Sequence, residues 1–322
     1  MAYFVFDLDE TLAELYNMYY FIGSLRIKET LGDPTTSVTS SLQNSLNKAY
    51  NIFVHNILAE EISSSPIGII RPGILGVMQK LYELQTSGII KYVVIYSNNE
   101  HLQSLEFIRD IIHKYLGIND LIIDCIHWNH SIRDNDKIKN KKTWNTLKNI
   151  IKYGMCKESE RIKQKNIYFF DDLEHKNLQK VLGSNYYKVP EYTYIPSFNR
   201  ISKIFKNAIE QAEVDVHMFT SVISILTNNS RIDNHMVLDE IIELFKESDV
   251  HININVPEPD NGINMMMNAI TAAIHQSDVK YTAHNAHNAH NVQNAQKRGG
   301  NKTSVCNTKK RRYRANSIKQ KN

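Results

Sequence analysis

Tyr3-Phe4-Val5-Phe6-Asp7-Leu8-Asp9-Glu10-Thr11-Leu12 is the stretch whose reading decides the fold. Residues 3–6 form a short apolar run, the pattern of a buried strand, and the run stops at two acids spaced one residue apart. Tyr92 to Tyr96 is a second such run and leads into Ser97-Asn98-Asn99. Leu121 to Ile126 is a third, and Ile167 to Phe170 is a fourth, ending in Asp171-Asp172. Tyr186 to Val189 has the makings of a fifth.

Helical patterns fill the intervals. One covers Leu46 to Ile62, with apolar residues at Ile52, Phe53, Ile57 and Leu58. A second follows Arg71-Pro72-Gly73, is marked by Leu75, Met78, Leu81, Tyr82 and Leu84, and stops near Gly88. Pro72 suits the first turn of that helix. Others run from Leu102 to Leu116 and from Thr143 to Ile151. The Ser- and Thr-rich stretch 33–45 reads as loop or cap entry. Strands alternating with helices, over connections long enough for crossovers, predict an α/β fold built on a doubly wound parallel sheet. The expected organisation is a sheet domain over 1–197 with residues 13–66 as a small helical flap or cap insert. A helical C-terminal extension over 198–276 follows. Residues 277–322, low in complexity and then basic, are too polar to build a core and are expected to be disordered.

The chain has 322 residues, 42% hydrophobic and 22% charged, an ordinary balance for a globular protein. No apolar run is long enough to cross a membrane, and no secretory signal is expected at a start that reads as a core strand. Cys125, Cys156 and Cys306 make no CxxC pair, which argues against a disulfide framework or a zinc site and for a reducing, intracellular setting. The net charge of +4 conceals a split. From Lys297 onward there are ten Lys or Arg and no acid, so 28 of the 38 basic residues face 34 acidic ones elsewhere, about −6. The tail is thus a separate object, suited to nucleic acid, to an acidic partner or to a nuclear address.

In parallel α/β sheets, ligands bind beyond the carboxyl ends of the strands. Asp7, Asp9, Ser97, Asn98, Asp171 and Asp172 are therefore expected around one crevice. Four carboxylates gathered there repel each other unless a cation sits among them. Ligands that are all oxygen favour Mg²⁺, which keeps several waters and takes phosphate as a further ligand. A hydroxyl, a lysine and a hard metal together describe a phosphate site.

Phe6-Asp7-Leu8-Asp9-Glu10-Thr11-Leu12 resembles the first motif of the haloacid-dehalogenase (HAD) superfamily, and its DLDETL wording is similar to the carboxy-terminal-domain phosphatases. Tyr96-Ser97-Asn98 resembles the second motif. Phe169-Phe170-Asp171-Asp172 resembles the fourth, in a form similar to the magnesium-dependent phosphatase-1 group. Arg71-Pro72-Gly73 resembles the RPG that precedes the second motif in many relatives. The resemblance covers roughly residues 1–195.

It implies a phosphatase in which Asp7 attacks phosphorus and carries an aspartyl-phosphate, while Asp9 protonates the leaving oxygen and later deprotonates water. It further implies Mg²⁺ on Asp7, on the Asp9 carbonyl and on Asp171 or Asp172. Thr11, Ser97 and Asn98 are expected on the phosphate side, with Thr11 bracing the loop. A lysine should neutralise the phosphoryl group. Lys137, Lys139, Lys141 and Lys142 all lie in the right interval, and Lys142 is chosen because it immediately precedes a helix, with Lys141 second.

The implied substrate is a phosphorylated protein, or else a small phosphorylated metabolite or a nucleic-acid end, since the insert before Arg71 is longer than in minimal protein phosphatases. A different class of function is a non-catalytic binding module whose tail carries the activity. The intact acids argue against that reading. The aromatics from Tyr16 to Phe21 either line a substrate flap or pack in the core, the latter being preferred. The Gly-Gly followed by a basic end is similar in style to tails of large DNA-virus proteins, which would add a viral factory or virion to the cytoplasm and nucleus as settings.

Overall fold

The computed structural model describes residues 1–15, 18–27, 39–133, 142–154, 163–194, 196–227, 236–247 and 261–277. In chain order the elements are β1 (Ala2–Phe6), α1 (Tyr19–Leu25), α2 (Ser40–Glu61), α3 (Ile74–Thr86), β2 (Ile90–Tyr96), α4 (Leu102–Leu116), β3 (Ile122–Ile126), α5 (Trp144–Asn149), β4 (Ile167–Asp171), α6 (Lys176–Leu182) and β5 (Tyr186–Lys188). Then come α7 (Phe198–Gln211), α8 (Val216–Thr227) and α9 (Leu238–Glu247), and a helix α10 over residues 261–277. The chain divides into one unit of Met1–His275 and another of Gln276–Asn322. Of the second, Gln276 and Ser277 are among the described residues.

The five strands form one sheet in the order β3-β2-β1-β4-β5, and every pairing is parallel. This is the doubly wound α/β arrangement. β1 is buried at all five positions because it lies between two other strands and under helices on both faces. Its side chains alternate between the two faces. Phe4 and Phe6 join the larger core with α2, α3 and α4, whereas Tyr3 and Val5 join a smaller one with α5 and α6. On the larger side, in-register aromatics stack across strands. Phe4 lies 4.9 Å from Tyr168, Phe6 4.8 Å from Phe170, and Phe170 5.0 Å from Tyr187. Such cross-strand pairs help to hold the register of β1, β4 and β5.

The segment between β1 and β2 is built into this core. Leu42, Leu46, Ala49 and Phe53 of α2 bury one face, and Phe53 meets Phe107 of α4 and Phe205 of α7. The aromatics near α1 divide. Phe21 packs on Phe205 and Phe245, while Tyr19 lies against His101, with ring centroids 4.0 Å apart. Tyr16 is outside the described residues.

Two sequence expectations need correction. Helix α2 begins at Ser40, within the stretch expected to be loop or cap entry. Thr39 caps it by accepting a hydrogen bond from the Leu42 amide at 3.2 Å, and Leu42 and Leu46 extend the apolar stripe backward. Pro72 does not sit in the first turn of α3. Gly73, at φ 92°, is the N-cap, and the helix starts at Ile74. A left-handed cap of that kind is one that glycine adopts without strain.

Candidate active site

Strand order reverses at β1, so the crevice predicted for such sheets lies beyond the carboxyl ends of β1, β2 and β4. Asp7 continues the parity of Tyr3 and Val5, and Asp171 that of Ile167 and Phe169, toward the face covered by α5 and α6. The Asp7 amide donates to Phe170 O at 2.9 Å, extending the ladder one residue past the strand. Lys142 comes into the same space because it immediately precedes Thr143, the N-cap of α5. Its Nζ is 2.7 Å from Asp7 Oδ1 and 2.7 Å from Asp171 Oδ2. The rings of Tyr96 and Phe169 lie 5.8 and 5.9 Å from it. The Lys142 side chain is fully buried.

The other acids are each held differently. Asp171 Oδ1 accepts from the Leu173 amide at 2.9 Å, and Oδ2 has His175 Nε2 at 3.3 Å besides Lys142. Both Asp171 oxygens are thus occupied by the protein. Thr11 Oγ1 donates to Asp172 Oδ1 at 3.1 Å and accepts from the Asp172 amide at 3.0 Å. Asp9 Oδ2 accepts from Ser97 Oγ at 3.3 Å, and Asn99 Nδ2 lies 3.1 and 3.2 Å from the two Asp9 oxygens. One oxygen each from Asp7, Asp171 and Asp172 lie within 4.8 Å of one another, and all three residues are buried.

Three buried carboxylates with one lysine leave the cluster two charges short of neutrality. Titration reflects this. Burial pushes the Asp7 carboxyl up to about 7, with Lys142 opposing and Asp171 and Asp9 adding to the rise. Burial raises Asp9, against the hydrogen bond from Asn99, and raises Asp172, with Asp171 adding. Burial also acts to raise Asp171, but Lys142 and His175 outweigh it and hold that carboxyl low. The donor set is oxygen only, close-packed and electron-rich, which fits a hard divalent cation. A charge of +2 beside Lys142 would balance the three carboxylates.

The turn after Asp9 is pinned from outside. Glu10 adopts φ 57°, and its carbonyl accepts from the Tyr192 amide at 2.8 Å and from Arg71 Nη2 at 3.0 Å. Arg71 also donates to the Pro190 carbonyl. The Arg-Pro-Gly signal thus has a role in this chain: a buried guanidinium ties the loop after β1 to the loop after β5.

Asp7, Asp9, Thr11, Ser97, Lys142, Asp171 and Asp172 are brought together. Asn98, expected among the phosphate ligands, instead accepts from Arg133 Nη2 at 2.8 Å. Asn177 accepts from the Trp144 amide at 3.2 Å and so links α5 to α6. Lys137, Lys139 and Lys141 lie outside the described residues. Three contributors were not foreseen. Asn99 takes the place beside Asp9. His175, four residues after Asp171, backs that carboxylate. Arg133 donates to Ser97 O at 2.8 Å and stands over the rings of Tyr96 and Trp128 at 5.1 and 5.4 Å, fixing the loop after β2. Cys125 is no rival nucleophile, since burial pushes its thiol up to about 12.

Fold and site together define a doubly wound α/β protein with a buried acidic cluster, neutralised in part by one lysine, at the carboxyl edge of its sheet. No family model matches the chain, and no curated protein matches it. Among solved structures, a variant of the fission yeast RNA polymerase II CTD phosphatase Fcp1 bound to beryllium fluoride is similar at 15% identity and a TM-score of 0.28. The match covers 76% of this chain and 62% of that one, so the chain spans less than two thirds of that neighbour's length. No helix among the described residues is long and apolar enough to cross a membrane.

Proposed function

We propose that this chain is a Mg²⁺-dependent phosphomonoesterase of the HAD type, working through an aspartyl-phosphate on Asp7. The observation that carries the reading is the buried Asp7–Asp171–Asp172 cluster with Lys142 Nζ at 2.7 Å from both Asp7 and Asp171. Asp7, Asp172 and the Asp9 carbonyl would hold the metal. Asp171 is the poorer ligand of the adjacent pair, since both its oxygens already have protein partners. Bound there, Mg²⁺ supplies charge that keeps Asp7 ionised and screens a phosphate dianion from it.

The chain's own groups account for the remaining chemistry. The Asp7 carboxylate attacks phosphorus and forms a P–O bond as the bond to the leaving oxygen breaks, and Asp9 gives its proton to that oxygen. Burial of Asp9 favours the protonated form this step needs. Water then gives a proton to Asp9 and attacks phosphorus, releasing phosphate and restoring the Asp7 carboxylate. Lys142 faces Asp7 and compensates charge built up on the phosphoryl oxygens. Ser97 Oγ, now bonded to Asp9, can turn its proton to a phosphoryl oxygen.

A phosphorylated protein segment is the substrate class best supported. Among the described residues between β1 and β2, helix α2 commits its apolar face to the core with Phe107 and Phe205, and so does not stand as a free lid that would exclude a protein surface. The test is hydrolysis of 4-nitrophenyl phosphate with and without Mg²⁺, by wild type and Asp7→Asn. Turnover should require Mg²⁺ and be abolished in the variant. A folded, Mg²⁺-loaded wild type that releases no phosphate from this ester or from a panel of phosphopeptides and phosphorylated metabolites would sink the reading.

A further inference from the structure

We infer that Asn99 is the positioning residue for Asp9, the acid–base group of the proposed reaction; the inference rests on the phosphatase reading above. Three bonds determine how the Asn99 carboxamide sits. Its Oδ1 accepts from the His101 amide at 2.8 Å, so the other end of the group, Nδ2, is the end that faces Asp9. Nδ2 then lies 3.1 and 3.2 Å from the two Asp9 oxygens. The Asn99 backbone is fixed as well, its carbonyl accepting from the Trp128 amide at 2.8 Å and its amide donating to Ser97 Oγ at 3.1 Å.

That last bond has a consequence for Ser97. A hydroxyl has one proton, and with its oxygen accepting from Asn99, the proton points to Asp9 Oδ2 at 3.3 Å. When phosphate draws that proton away, Asn99 is the donor that remains on Asp9. It keeps the carboxyl aimed while the leaving group is protonated. Asn98, the neighbour in sequence, turns to Arg133 instead, its Oδ1 accepting from Nη2 at 2.8 Å. A group held at a fixed angle is what efficient proton transfer requires, since a carboxyl free to rotate spends little time in reach of the departing oxygen.

The discriminating variant is Asn99→Asp. It is nearly isosteric and keeps an oxygen to accept from His101, so the loop retains its anchor. It loses the donor to Asp9 and sets a like charge beside it. The readout is kcat/KM, which reports the steps up to departure of the leaving group and is blind to the shared hydrolysis of the aspartyl-phosphate, on two aryl phosphates in saturating Mg²⁺: 4-nitrophenyl phosphate, whose leaving phenolate needs little protonation, and 4-methoxyphenyl phosphate, whose phenolate needs it. Asn99→Asp should lower kcat/KM on the methoxy ester by about 10–100-fold more than on the nitro ester, and Asp9→Asn should show the same slant. In the Asp9→Asn background, Asn99→Asp should add no further slant. Because the slant is a ratio within one preparation, loss of folded protein cancels, and because both esters present the same phosphate group, weaker binding of every anion cancels too. Equal losses on both esters, or no loss on either, would overturn the assignment and leave Asn99 as a loop anchor alone. A wild type inactive on both esters and on the phosphopeptides and phosphorylated metabolites named above is a separate result, which takes down the phosphatase reading and this inference with it.

Discussion

Replacing Lys142 by methionine tests the charge arrangement at the heart of the site without reference to turnover. The side chain has no exposed surface, and its Nζ is 2.7 Å from carboxylates at the carboxyl ends of two different strands. Methionine is similar in volume and flexible, so the cavity term is small and the loss is chiefly electrostatic. Breaking a buried pair by removing one partner costs about 3–5 kcal/mol, because the other charge is left buried without compensation. For a protein of this size that corresponds to a fall in melting temperature of roughly 10 °C.

The pH dependence carries the sharper test. In the wild type Asp171 is held below its ordinary value of 3.8, so the stability it contributes is full above about pH 4 and lost as the pH falls through its folded pKa. Without Lys142, burial dominates. Asp171 and Asp7 each lose the lysine that lowers them, and both move up. Groups whose folded pKa is raised bind more protons folded than unfolded, so their burden on stability grows as the pH rises. The gap between wild type and Lys142→Met should therefore be widest at pH 8 and narrow toward pH 5. Thermal unfolding followed by circular dichroism, with a chelator present, measures it. A variant that melts with the wild type at pH 8, or a gap that does not change with pH, would refute the buried ion cluster.

Glu61, outside the acidic cluster, is a second pH reporter. Its carboxyl accepts from the Ile69 and Ile70 amides at 2.7 and 3.3 Å, yet burial pushes it from 4.5 up to about 7. A raised acid makes the folded state the better proton binder between about pH 4.5 and 7, so its share of stability falls as the pH climbs through that window. Glu61→Gln keeps the acceptor and loses the charge. At pH 8 it should be more stable than wild type by about 1–3 kcal/mol, the upper end being the full shift and the lower end allowing for water at its partly exposed surface, and at pH 4.5 the two should converge in urea titrations. Thr11→Val removes a hydroxyl that both donates to and accepts from Asp172. It should cost about 1–3 kcal/mol in chelator and weaken the rise in melting temperature that Mg²⁺ gives the wild type. An unchanged Mg²⁺ response would mean that Asp172 does not need Thr11 to be held in place.

Much of the architecture was legible because a strand that ends in acids carries two signals at once, apolar burial along its length and a polar edge at its end. Tyr3 to Asp7 and Ile167 to Asp172 show both, and alternation alone sends Asp7 and Asp171 to one face. Lys142 was singled out through the resemblance, whose lysine commonly stands immediately before a helix, and it does precede Thr143, the N-cap of α5. The start of α2 was misread because Ser and Thr are as much cap residues as loop residues, and Thr39 is the cap. The apolar spacing of Leu42, Leu46 and Phe53 held the better signal.

What stayed illegible depends on geometry that no local pattern encodes. Asn98 and Asn99 are chemically identical neighbours, and only the turn after β2 decides which one meets Asp9 and which meets Arg133. Arg133 itself acts on residues 35 and 36 positions away, and Arg71 reaches 61 and 119 positions to Glu10 and Pro190. These long reaches share one cause in strand order. Because β1 is placed between β2 and β4, the loop that follows it is flanked on one side by Ser97 and Asn99 and on the other by Asp171 and Asp172. At either sheet edge Asp7 would have neighbours from one strand only, and the acids would not converge. The central place of the first strand is thus what turns two short acidic motifs, more than 160 residues apart, into one buried cluster.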